Sequence, residues 1–152
     1  MRVYLPVTLD ELQHGSPVLL TPRVVHAVTP LLRATWPEED EEGWEYAAQA
    51  GAADDSLVRV AGRPEAPPLR VVVAADVPEA AVRPLADAAV PSAVQLVSDV
   101  DLAAVVSVHV DEPEAAPDVR AVVEGDESAI ERLEERDLLW YDVSEVADIP
   151  SV

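Results

Sequence analysis

The chain has 152 residues, a net charge of −20 and no cysteine. It therefore has no disulfide, no thiolate nucleophile and no cysteine-ligated zinc. The acidity disfavours nucleic-acid binding, because phosphate contacts need clustered lysine and arginine.

The first element is a strand, in which Val3, Leu5 and Val7 alternate with Arg2, Tyr4 and Pro6. Thr8-Leu9-Asp10-Glu11 then has the form of a capping box opening a short helix. Gly15 suits the end of that helix, with His14 at the carbonyl end of its dipole. Ser16 to Leu20 and Arg23 to Val28 are apolar runs broken by Pro17 and Pro22 and read as short edge strands. Thr29-Pro30 starts a helix over 30–35, which stops ahead of Pro37.

Pro37 is expected to open the longest helix. Glu38, Glu39, Asp40, Glu41 and Glu42 crowd its start, where negative charge meets the positive end of the dipole. Trp44, Ala47, Ala48, Leu57, Val58 and Ala61 continue an apolar stripe, and Gly51 is a place where the helix could kink. After a proline-rich connector at 63–68, Leu69 to Ala75 is apolar on both faces, as a central strand covered on each side would be. Residues 80–90 fit either a strand or a helix. Ala93 to Val97 reads as a strand.

Leu102 to Asp111 is the clearest strand of the chain. Its alternation places Ala104, Val106, Val108 and Val110 on a core face and Val105, Ser107, His109 and Asp111 on the other. The second face has the residue types of a nucleophilic triad. Residues two apart on a strand are separated by roughly 6.6 Å along its axis, too far for one straight strand to make both hydrogen bonds of a working triad. A polar sheet face is the expected reading. Helices follow over about 117–124, buried through Val119, Val122 and Val123, and over 127–136, buried through Ala129, Ile130 and Leu133. Leu138 to Val143 is the last strand. The sum is an α+β domain over residues 1–152, with helices packed on a mixed sheet of four to six strands.

Several of these blocks look familiar together. They are Met1-Arg2-Val3-Tyr4-Leu5-Pro6 with Thr8-Leu9-Asp10-Glu11-Leu12, then Val71 to Val77, Val108 to Asp111, and Leu139-Trp140-Tyr141. The chain resembles a small uncharacterised family, a domain of unknown function, from high-GC Gram-positive bacteria. The resemblance implies a cytoplasmic location and no assigned activity. It agrees with a basic complement that is entirely arginine, ten residues with no lysine, and with the lack of a signal-peptide profile or a membrane-length apolar run.

No phosphate loop, His-Glu-x-x-His pattern or calcium loop is present, and no cofactor is implied. The leading functional expectation is a non-catalytic binding or regulatory protein, acting on a protein partner or as a homodimer. Its surface would be Glu38, Glu39, Asp40, Glu41 and Glu42 around Trp44, with Trp36, Trp140 and Tyr141 as further aromatic anchors. A second expectation is a hydrolase or metal-dependent enzyme built on His109, Asp111 and Asp76, or on His26 and His109 with one of those carboxylates. A third is a nucleic-acid mimic, which needs carboxylates in a row at phosphate-like spacing. Neither nucleic acid nor membrane is an expected partner.

Overall fold

A computed structural model describes residues 1–13 and 19–152. His14, Gly15 and the first part of the 16–20 run lie outside the described residues. In chain order the elements are β1 (Arg2–Val7), α1 (Leu9–Gln13), β2 (Leu19–Leu20), β3 (Val24–His26), α2 (Pro30–Thr35), α3 (Glu41–Ala61) and β4 (Val71–Asp76). Then come β5 (Val82–Pro84), β6 (Ala93–Leu96), β7 (Val100–Asp101), β8 (Val105–Val110), α4 (Ala116–Val123), α5 (Ser128–Glu134) and β9 (Leu139–Asp142).

Among the described residues the main sheet has seven strands in the order β5-β6-β3-β1-β4-β8-β9, every pair antiparallel; β2 and β7 form a separate two-stranded ladder. The expected four to six mixed strands are therefore corrected to seven antiparallel ones. Part of the difference is β5, which has three residues, too few for alternation to register in a stretch that fitted either a strand or a helix. β3 is an interior strand between β1 and β6, not an edge. Its proline, Pro22, sits ahead of the ladder, where no donor is lost.

One face of the sheet carries the larger core. Val3, Leu5, Val7, Val25, Val71, Val73, Val108 and Val110 meet Leu9, Leu12, Leu69, Leu96 and Ile149 there. The other face holds Tyr4, Val72 and Ala74 beneath α3, which contacts them through Ala48, Ala52 and Ala53. Small alanines let a helix backbone come close to a sheet. The C-terminal half of α3 packs with α4 and α5 through Val60, Ala115, Val119 and Leu133.

Local signals account for several element ends. The Thr29 hydroxyl accepts from Leu32 N at 3.0 Å, with Pro30 at the first helical position. The longest helix starts later than Pro37: Asp40 is its cap, accepting from Gly43 N at 2.9 Å. It runs unbroken through Gly51. The Thr8 box is half formed, since Glu11 accepts from Thr8 N at 2.9 Å while Glu11 N bonds the Thr8 carbonyl instead.

Burial departs from the expected stripes in five places. Val58 is 70% exposed, and Ala61, Val106, Val123 and Ile130 also reach solvent. For Val106 the cause is a bulge. Ala74 pairs with Ser107 and Ala75 with Val105, so Val106 is the extra residue and Val105 takes its place in the core.

Candidate functional site

A buried polar arrangement surrounds His26. Its ring is 1% exposed, with Nδ1 at 2.7 Å from Ser92 Oγ and Nε2 at 2.7 Å from Asp55 Oδ2. An ionised carboxylate only accepts, so the Nε2 hydrogen points to Asp55, and Nδ1 faces the Ser92 hydroxyl. β3 brings the imidazole, α3 the carboxylate, and the residue ahead of β6 the hydroxyl. Further bonds hold the 91–92 segment: Ala27 N donates to the Ser92 carbonyl at 2.9 Å, and the Thr29 hydroxyl to the Pro91 carbonyl at 2.6 Å.

Gly51 is what admits the ring. A Cβ at this position would stand 2.6 Å from His26 Nδ1 and 3.2 Å from Ser92 Oγ. A helix-interior glycine costs about 1 kcal/mol relative to alanine, and here that cost goes with the imidazole's fit under α3. The same contacts limit the chemistry. Ser92 is 4% exposed and covered by the helix, so its hydroxyl has no room to approach a carbonyl substrate. The triad of residue types is a clamp on β3, α3 and the start of β6.

Outside the clamp, a cleft of about 540 Å³ opens between α3, β3 and the 85–90 segment. His26 and Gly51 line it together with Asp54, Asp55, Asp87, Arg23, Arg59 and several valines. Arg23 and Arg59 both bind Glu11, at 2.9 and 3.2 Å. Burial pushes the Glu11 carboxyl upward, but the bonds from Arg23, Thr8 N and Arg59 hold it below its ordinary range. Asp54 shows the opposite balance. Loss of solvent, then the charges of Asp55 and Glu134, raise it despite Arg70 and His26.

The face of β8 singled out by its residue types is only partly joined. Ser107 Oγ and His109 Nε2 lie 3.0 Å apart, the one contact that leaning side chains achieve. Asp111 is elsewhere: it is 2% exposed and accepts from Arg70 N, Nε and Nη2 at 2.9, 2.9 and 2.8 Å. Asp76 pairs with Arg2 at 2.7 Å at the far end of β4, six residues or roughly 20 Å from the Arg70 end. His26 and His109 are three strand spacings apart and two residues out of register, roughly 16 Å. No cleft therefore joins His109, Asp111 and Asp76, and among the described residues no group of three metal-ligating side chains comes together. Burial lowers the His109 imidazole.

At the other end of α3 the acidic start is a corner. Glu38, Glu39, Asp40, Glu41, Glu42 and Glu45 are all exposed. Trp44 is half-buried, its ring centroid 4.5 Å beneath the Arg33 guanidinium and its Nε1 donating to the Trp36 carbonyl at 3.0 Å. Arg33 also pairs with Glu41. Two aromatics face outward here, Trp36 at 47% and Tyr46 at 65% exposed, and Leu31 on α2 is 58% exposed. Trp140 is exposed on β9, and Tyr141 is half-buried against the larger core.

Sequence reasoning passed over Ser92 and Asp55. They lie 66 and 29 residues from His26, and no spacing rule links them. The one available signal was Gly51, an unexplained glycine inside a helix one turn before Asp55.

The fold and the clamp define an acidic α+β protein in which an antiparallel sheet is pinned to one long helix by a buried histidine. The chain belongs to DUF6912, a family of unknown function, whose model matches residues 1–149. Neither a curated protein nor a solved structure matches it. Among the described residues no helix is long and apolar enough to cross a membrane.

Proposed function

We propose that the protein is a non-catalytic binding or regulatory protein, acting as one domain over residues 1–152, which docks a basic protein partner at the corner between α2 and α3. The observation that carries this reading is Trp36, exposed at the turn into α3, its carbonyl accepting from Glu39 N and the exposed carboxylates of Glu38, Glu39, Asp40, Glu41 and Glu42 following it. An aromatic anchor ringed by charge suits a partner rich in arginine or lysine, and steering raises the association rate. Trp44 supports the surface as a pedestal: Arg33, held between its ring and Glu41, is the chain's own example of the contact a partner arginine would make. Asp40 is committed to the helix cap, which leaves Glu38, Glu39, Glu42 and Glu45 as the free charges. A cytoplasmic setting in a high-GC Gram-positive bacterium fits the arginine-only basic complement. The enzyme reading built on His109, Asp111 and Asp76 has no such support, because each carboxylate is bound by its own arginine. A nucleic-acid mimic would need a row, and consecutive acids at a helix start splay around its axis.

The test is a quantitative pull-down from native lysate with three baits: wild type, a variant with Glu38, Glu39, Glu41, Glu42 and Glu45 changed to Gln, and Trp36→Ala. Asp40 is retained so that the helix keeps its cap. The expected result is one basic protein held by wild type and lost from both variants. Its capture should also fade between 0.1 M and 1 M salt, as the Debye length shrinks from about 10 Å to about 3 Å. An equal catch on all three baits removes the corner from any recognition role.

A further inference from the structure

Apart from that corner, we propose that the cleft beside His26 binds a small organic cation, with an ammonium or guanidinium head against Asp54 and an apolar body along Val24, Val58 and Val90. The volume, about 540 Å³, lies in the range of small-molecule sites, roughly 300–1,000 Å³. Its apolar wall is unusual for a surface this charged. Val24, Val58 and Val90 come from three separate segments, and all three are left in water at 37, 70 and 42% exposure. They converge on this one cleft. A ligand chain laid across them would remove that area from solvent.

The charge of the head follows from which polar groups are already committed. Arg23 gives its guanidinium to Glu11, the Pro6 carbonyl and Thr21. Arg59 gives its own to Glu11. Of these two guanidinium groups, among the described residues, only the Arg59 Nη1 is left without a hydrogen bond, and it shares the cleft with the carboxylates of Asp54, Asp55 and Asp87. Asp55 accepts from His26. Asp54 is exposed, has neither a hydrogen bond nor an ion pair among the described residues, and sits next to a second carboxylate. An arriving cation offsets the repulsion from Asp55. Gly51 and His26 fix the floor, so the cleft is in place before a ligand enters and little ordering cost is added on binding.

The probe is n-hexylammonium, titrated into the ¹⁵N-labelled full chain at 0.15 M NaCl, with hexanoate and hexanol as ligands of the same body and a different head. Amide shifts are expected to saturate at Gly51, Asp54, Val58 and Val90, with hexanol at least tenfold weaker and hexanoate without effect. Asp54→Asn, which breaks no hydrogen bond, should weaken hexylammonium at least tenfold. Val58→Ser should weaken hexylammonium and hexanol alike. The site is refuted if hexanoate binds as well as the amine, or if Asp54→Asn binds it unchanged. Shifts confined to the Trp36 and Glu38–Glu42 surface would also refute it, as general attraction to an acidic chain. None of these outcomes depends on the partner surface, which is tested with different variants.

Discussion

Two sets of serine, histidine and aspartate occur in this molecule, and they differ in how they are assembled. Ser107, His109 and Asp111 are neighbours in sequence, yet only the first two touch, and the aspartate is held in a buried pair with Arg70. Ser92, His26 and Asp55 are scattered along the chain, yet both ring nitrogens of the histidine are bonded at 2.7 Å. Alternation on a strand lines residues up without bringing them together. Packing a helix across a sheet does bring them together, at the cost of a glycine where the helix would otherwise carry a side chain.

The sharpest way to break the comparison is at Asp111. Removing one partner of a buried ion pair costs about 3–5 kcal/mol, because the other charge is left uncompensated. Asp111→Ala should therefore destabilise by that order in urea or thermal melts, with Arg70 stranded at 6% exposure. A cost under about 1 kcal/mol, the value of an exposed pair, would mean that the pair is not sequestered and that Asp111 is free to serve His109.

Smaller effects are expected within the Ser107–His109 contact. Ser107→Ala should cost about 1 kcal/mol or less, as one partly buried hydrogen bond. His109 adds a pH signature. Its folded value is depressed by burial, so the unfolded chain takes up the proton first as pH falls. The contribution of His109 is then fully present above its ordinary range, near 6.5, and is lost as pH falls through that range toward the lowered folded value. The gap in melting temperature between wild type and His109→Gln should narrow or invert from pH 7.5 to pH 5. A gap that widens on acidification would mean that His109 has an acidic partner in the fold.

What the sequence made legible was local. α2 is where Thr29 and Pro30 put it, and β4 and β8 are interior strands, because caps and valine runs act over a few residues. The acids at 38–42 are exposed at a helix start, as their charge requires. The strand count fell short in part because β5 is a three-residue piece within a stretch that fitted strand or helix, and β3 was read as an edge although it is interior. Val106 took the wrong face because the bulge makes it the extra residue, while Val108 and Val110 beyond it keep the core face. Ile130 and Val123 were assigned inward by helical period alone, and their helices are short and covered on one side. The clamp was invisible for a related reason: its members meet only once the sheet order is known.

The central claim is that Gly51 is present because His26 occupies the space of its missing side chain, and a double-mutant cycle between these two positions tests it most directly. Gly51→Ala alone should destabilise by about 1–3 kcal/mol through overpacking, despite the better helix propensity of alanine. In a His26→Ala background the ring is gone, and the same change should stabilise by up to about 1 kcal/mol. A reversal of sign between the two backgrounds is the predicted result. Equal costs in both would show that the two residues are uncoupled, and that the clamp does not hold α3 to the sheet.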